Sequence, residues 1–266
     1  MDRYRTIIFT AAAATALLAG GCLLPPGGQP EQPEPEREPQ PQIFLDIEEA
    51  EQVALYLDDD VRLDRFLMKR VFYDISLIRG AFRDWVEAVD YVYFHPPCTS
   101  DAVAIRFEER SYALVSSGSY EEWDQLNALY GPVSRQDEDD LRTVILFFDG
   151  LYDYRALAKE YSKLSGVLEA TCILPVEDSP NIYARLATGG ITYLFRDAWE
   201  GCETGCENNV FYYFVCENDD AVYVGSWDPD QRMYPPEWWD EARLNLPPGL
   251  ADRFRPPGST FGGTGR

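Results

Sequence analysis

The chain has 266 residues, with 46 Asp and Glu against 23 Lys and Arg and a single histidine, for a formal charge of −23. Such a surface repels phosphate backbones, and no basic stripe offsets the repulsion, so nucleic acid is excluded as a partner. With 17 Tyr, 14 Phe and 6 Trp, the chain can fill a sizeable core of one or two small domains.

Arg3 and Arg5 precede the apolar run Ile7–Leu18. That run is shorter than the roughly 20 residues a membrane span needs. It has the charge, length and small-residue end of a secretory signal. Leu17-Leu18-Ala19-Gly20-Gly21 then leads into Cys22. This stretch resembles the signal peptide and lipobox of bacterial lipoproteins, departing from them at Ala19, where the family usually has leucine. The resemblance implies that residues 1–21 are removed and that Cys22 becomes the acylated first residue, holding the chain to the lipid bilayer. Three acyl chains make such anchoring stable where one binds only marginally. Leu23, where inner-membrane lipoproteins typically carry aspartate, points by the same analogy to the outer membrane.

Residues 22–42 continue as the lipidated cysteine and a stretch of Pro, Glu, Gln and Gly. Such a composition buries little and is expected to form an extended, semi-rigid tether. A helical segment is expected over 43–88. Asp46 and the acids after it open one helix, with Ala50, Val53, Ala54 and Leu57 on a common face. After Asp58-Asp59-Asp60, the spacing of Leu63, Phe66, Leu67, Val71, Ile75 and Ile78 predicts a second, ending or bending at Gly80.

Over 89–176 the pattern alternates between strands and helices. Val89–Phe94, Ala102–Phe107, a short stretch near Val133, Thr143–Phe147 and Val167–Leu174 read as strands. Ser119 and Glu122 look like a capping box for a helix whose inner face is Trp123, Leu126, Leu129 and Tyr130, stopped by Gly131-Pro132. A further helix is predicted from Asp153 to Leu164, with Gly166 as its C-cap. From 102 to 174 the order is that of a ferredoxin-like βαββαβ core. In that topology the first and last strands are antiparallel neighbours, which places Cys98 beside Cys172 and predicts a disulfide in an oxidising compartment. Residues 177–243 read as an antiparallel β-meander, with Asn218-Asp219-Asp220 supplying a hairpin turn. Trp227 and the pair Trp238-Trp239 are expected to cover one of its faces, the alternative being an exposed carbohydrate platform. Residues 244–266, rich in Pro and Gly, read as a disordered tail. The fold class is α+β: an N-terminal helical hairpin, the ferredoxin-like core and the C-terminal meander.

Five cysteines remain after Cys22, so at least one lacks an intramolecular partner. Cys202 and Cys206 are expected to close a small loop at a hairpin tip. Cys216 stays unassigned, with a pairing to either of them left open. Zinc would need four suitably spaced ligands, and the one histidine, His95, lies far off beside Pro96-Pro97. A redox motif would prefer two intervening residues. The run Ile191–Cys206 and the aromatic strand Phe211-Tyr-Tyr-Phe214 resemble a family of uncharacterised exported bacterial proteins with a Gly-Asp-Cys-x-x-Gly-Cys-type hairpin, from which no activity follows. Gly201 stands where that pattern usually has an acid. Leu164–Ala170 resembles the last strand of subtilase propeptides, which implies protease binding.

Asp58–Asp60 and Asp137–Asp140 lack the spaced oxygens and turn glycine of a calcium loop. No G-x-S-x-G elbow and no phosphate-loop lysine is present. No catalytic, metal or cofactor residue is therefore assigned. The sequence points to a non-enzymatic, lipid-anchored binding module whose partner is an envelope protein or glycan. A carboxylate-based hydrolase and a propeptide-like protease inhibitor are the alternatives. Feeding cells a fatty-acid analogue is expected to label the wild-type chain and not the Cys22→Ser variant; equal labelling of both would remove the lipid anchor.

Overall fold

The structure, a computed structural model, describes residues 47–98, 100–174 and 178–254. Cys22 and the tether lie outside them. The described chain is mixed α+β, with eight α-helices and two antiparallel four-stranded sheets.

Helices α1 (Ile47–Leu55) and α2 (Arg65–Phe82) pack through Ala50, Val53 and Ala54 against Val71, Ile75 and Ile78. Asp64 caps α2, its carboxylate accepting from the N–H groups of Phe66 and Leu67. Phe66, expected on the inner stripe, is 84% exposed: it falls in the first turn, ahead of the buried row that begins at Val71. Val89–Phe94 is not a strand. Ala88–Tyr91 forms the short helix α3, closed by Val92 N–H on Ala88 O at 2.9 Å. Val86, Val89 and Val92 are all buried, a helical three-residue spacing that the β-branched composition concealed.

The first sheet has strand order β2-β3-β1-β4, from β1 (Ala102–Phe107), β2 (Ser134–Glu138), β3 (Thr143–Phe147) and β4 (Val167–Cys172). One face carries Val103, Ile105, Phe107, Val144 and Leu146 against Trp123 of α5 (Glu121–Tyr130) and Leu157 and Tyr161 of α6 (Tyr154–Ser162). Trp123 meets Phe107 and Tyr161 edge-on, at 5.4 and 5.5 Å between ring centroids, the geometry aromatic quadrupoles favour. Helix α4 (Glu109–Ser117) buries only Val115, and so has no apolar stripe to announce it. Gly118, at φ 68°, ends it, and the Ser119 N–H bonds Leu114 O at 2.9 Å. Ser119 thus completes the end of α4, not a capping box, and α5 starts after Tyr120 with no side-chain cap. Leu129 is exposed. Asp153 caps α6, and that helix ends at Lys163, before Gly166, which turns the chain into β4 at φ 74°.

The second sheet runs in sequence order: β5 (Asn181–Ala187), β6 (Gly190–Trp199), β7 (Asn208–Glu217) and β8 (Asp220–Trp227). Asn218 and Asp219 both take positive φ, as a two-residue hairpin turn requires. Both faces are covered. Ile191, Tyr193, Phe195 and Phe214 pack under α1–α3. Leu194, Phe211, Tyr213 and Trp227 pack under α7 (Trp239–Ala242) and the segment after it. This explains why Ile191–Arg196 is buried without alternation. Residues 244–254, read from sequence as disordered, are instead packed: Leu246, Leu250 and Phe254 join this core, and Pro248–Arg253 forms α8. Their Pro content opens the helix, with Pro248 in its first turn.

Cys98 and Cys172 lie at disulfide distance, Sγ–Sγ 2.09 Å, as do Cys202 and Cys206 at 2.15 Å. Cys216 is buried and unpaired. Non-reducing peptide mapping is expected to recover the 98–172 and 202–206 links, with Cys216 alkylated only after unfolding. Alkylation of Cys98 in the native protein would rule out the first link.

Candidate functional site: a cleft between the two sheets

The loop between α3 and β1 is held from two sides. Arg79 of α2 donates to Val89 O and Val92 O and pairs with Glu49 of α1, and Glu49 also accepts the Phe94 N–H at 3.0 Å. One residue on, Asn181 at the start of β5 grips the His95 backbone. Its Oδ1 accepts the His95 N–H at 2.8 Å and its Nδ2 donates to His95 O at 3.0 Å. The His95 side chain is left exposed.

Two adjoining hollows, of about 290 and 570 Å³, share His95, Pro97, Asn181, Tyr183 and Pro247 as walls. The smaller extends to Val53 and Tyr56 of α1, Arg155 of α6 and Pro248. The larger extends to Cys98, Leu174 and Asp178. Arg155 lies over the Tyr56 ring, 4.7 Å from its centroid. Its Nη2 donates to Tyr56 O and to Asp153, both at 3.0 Å. Burial and the nearby Asp153 carboxylate push the Tyr56 hydroxyl up to about 12.

Asn245 closes the floor. Its Nδ2 donates to Tyr183 O and Thr192 O at 2.9 Å, while its Oδ1 accepts from Arg185 and Thr192. Deeper in, Arg196 of β6 is 0% exposed. It forks onto Asp178 at 2.6 and 2.7 Å and donates to Asn209 at 2.7 Å. Burial works against the Asp178 charge, yet the Arg196 guanidinium and the Ser179 and Cys206 N–H groups hold its carboxyl below the usual range. The Asp178 N–H bonds Cys202 O at 2.9 Å, and Arg253 of α8 reaches both Asp178 and Cys206 O. The Cys202–Cys206 loop is thus fastened to the cleft's back wall.

The remaining residues singled out in the sequence fall elsewhere. Trp227 and Trp239 are buried core residues and Trp238 stacks on Tyr213, so they form no exposed platform. Asp59 pairs with Lys159, Asp137 with Arg135, and Asp139 accepts from Tyr112. Sequence reasoning passed over Asn181, Asp178, Arg196 and Arg155. Only Arg196 left a signal, the one cation of a long and mostly apolar strand. Comparison with protein-family models, with curated proteins and with solved structures finds no match to this chain.

One buried carboxylate stands apart from the cleft. Asp74 of α2 is fully buried; it accepts the Tyr193 hydroxyl at 3.1 Å and lies 2.8 Å from Arg70 Nε. Burial raises its pKa from 3.8 to about 6 against the pull of Arg70 and Tyr193, and Asp219, on the far side of Arg70, adds to the rise. Cys216 lies beside it, its thiol pushed up by burial and by Asp74. Because the folded pKa exceeds the unfolded one, this group favours the fold fully below pH 3.8, and that contribution is lost as pH rises through 6. Asp74→Asn is expected to remove the dependence. The unfolding free energy of the variant minus that of the wild type should grow by on the order of 3 kcal/mol between pH 4 and pH 7. A pH-independent difference in chemical denaturation would show that Asp74 titrates normally.

Proposed function

We propose that this chain is a lipoprotein of the bacterial outer membrane, anchored through acylated Cys22, and that it acts as a binding module and not as an enzyme. The cleft at His95 and Asn181 is its ligand surface. In the finer description of the fold, α1 and α2 form a helical hairpin, the β2-β3-β1-β4 sheet with α5 and α6 is a ferredoxin-like core, and β5–β8 are a meander. The strand order of the first sheet and the sequential order of the second support that description.

The observation that carries the functional reading is the state of the cleft's polar groups. General acid–base work calls for a carboxylate with a raised pKa facing the ligand. Among the residues lining the two hollows the one carboxylate is Asp178, and it is held ionised by Arg196. Asp74, whose pKa is raised, is enclosed beneath Tyr193 and lines neither hollow. What the cleft offers is rings, prolines and shape, which suits recognition. A second reading, protease inhibition through β4, draws support from the place of that strand at a sheet edge with Leu168 exposed. It requires stoichiometric inhibition of a secreted protease.

His95 is the chain's one histidine and is exposed in the cleft, so its acylation by diethyl pyrocarbonate reports on occupancy. A detergent-solubilised envelope fraction is expected to slow that modification severalfold, and a cytoplasmic fraction to leave it unchanged. An unchanged rate with every envelope fraction would sink the cleft as the binding surface.

A further inference from the structure

The smaller hollow is distinctive in charge and in hydrogen-bonding capacity. In a chain with twice as many acids as bases, its lining contains no Asp or Glu; it contains Arg155 and His95. Arg155 spends Nε and Nη2 on Asp153 and on Tyr56 O, which leaves its Nη1 donors without a protein partner among the described residues. With one edge paired to Asp153, the guanidinium turns its other edge, set on an aromatic ring, to a hollow lined by no further Asp or Glu, where it can take a second carboxylate or similar anion.

The amides on the walls point to the rest of the ligand. Both hydrogen-bonding ends of Asn245 are taken by backbone and side-chain partners. Asn181 Oδ1 accepts two N–H groups, from His95 and Ile182, and Nδ2 serves His95 O. A glycan, dense in hydroxyls, would bring many polar groups to a wall with few open partners, at the cost of desolvating them. An ordinary peptide strand would likewise bring a row of N–H donors to a wall whose two amides are already engaged. A proline-rich segment brings few such donors and arrives already extended, with rings that pack on aromatic and proline surfaces. Tyr56, Phe94, Pro97, Tyr183, Pro247 and Pro248 provide that surface.

On the reading that this cleft is the ligand site of a binding module, we infer that its ligand is an extended, proline-rich, acidic segment of another envelope protein, with one carboxylate seated on Arg155 Nη1. The probes are a fluorescent decapeptide of alternating proline and glutamate, its proline–glutamine counterpart, a glycine–glutamate control and an N-acetylglucosamine trimer. The full chain is expected to bind the proline–glutamate peptide with shielding of His95, and the glutamine counterpart about tenfold more weakly. Arg155→Lys keeps a cation beside Asp153 while removing the fork. It is expected to weaken the glutamate peptide about tenfold and leave the glutamine peptide unchanged, a coupling that a general loss of structure would not produce. Pro248→Glu, at an exposed first-turn position of α8, is expected to weaken the glutamate peptide further by repulsion. Equal binding of the glycine–glutamate control overturns the proline requirement. Shielding by the sugar trimer in place of the peptides overturns the peptide class. If no probe binds while an envelope fraction still shields His95, this inference fails and the binding-module reading stands; if neither shields it, both fail.

Discussion

The Asp178–Arg196 pair is the interaction on which the cleft side of the second sheet depends. A guanidinium at the centre of a sheet covered on both faces has no water to turn to, and an unpaired charge there would cost several kcal/mol. Asp178 supplies the forked partner, Asn209 takes the Nε–H, and Ser179 O takes one more donor. The same carboxylate accepts the Cys206 N–H and pairs with Arg253. One ion pair thus fixes the entry to β5, the middle of β6, the Cys202–Cys206 loop and the last helix in a common frame. Because β5 begins three residues after Asp178, the position of Asn181, and through it of His95, follows from that frame.

The parts of this architecture legible in the sequence are those whose burial is periodic or whose turns demand particular residues. The strands β5–β8 stand out because long aromatic and β-branched runs are cut by Gly189 and by Asn218-Asp219, residues that tolerate positive φ. Helix α6 stands out because Leu157 and Tyr161 share a buried face below the Asp153 cap. Helix α4 was illegible because it rides on the surface, and α3 because Val89 and Val92 carry strand propensity while packing at helical spacing. Residues 244–254 illustrate the same limit from the other side. Proline and glycine suggested a loose tail, yet Leu246 and Phe254 find a place over Phe211 and Trp239. Composition measures how a segment behaves alone; tertiary burial overrides it where a large apolar surface is waiting.

The cleft itself could not be read from sequence, for a physical reason. Its walls come from residues 53–56, 94–97, 155, 181–184 and 245–248, five segments that meet only after both sheets have formed. No local motif encodes such a site. What the sequence does encode is the means of holding it: Asn181 facing a loop with few backbone partners, and an arginine placed two residues after the cap of α6. Arg155 serves twice, since the contacts that neutralise the buried Asp153 also aim its remaining edge outward. In a strongly acidic chain this separation matters. Like charges at a surface repel one another, while the smaller hollow is lined by no Asp or Glu and by one arginine already paired with Asp153.

The cysteines tie this geometry to the redox state of the surroundings. Cys98 lines the larger hollow directly, three residues after His95, and Cys172 stands opposite Val103 at the edge of the first sheet. Linking them joins the His95 loop to β4, so the wall between the hollows is braced covalently on one side and by Asn181 on the other. The second pair closes a loop that Asp178 and Arg253 already hold. Such links persist only where thiols are not kept reduced. A chain with the same sequence retained in a reducing compartment would keep its hydrophobic cores, since these are built from apolar and aromatic contacts. It would lose the brace on one wall of the cleft. The shape of the cleft therefore carries a redox condition: its Cys98 wall is braced to β4 only where thiols can stay oxidised.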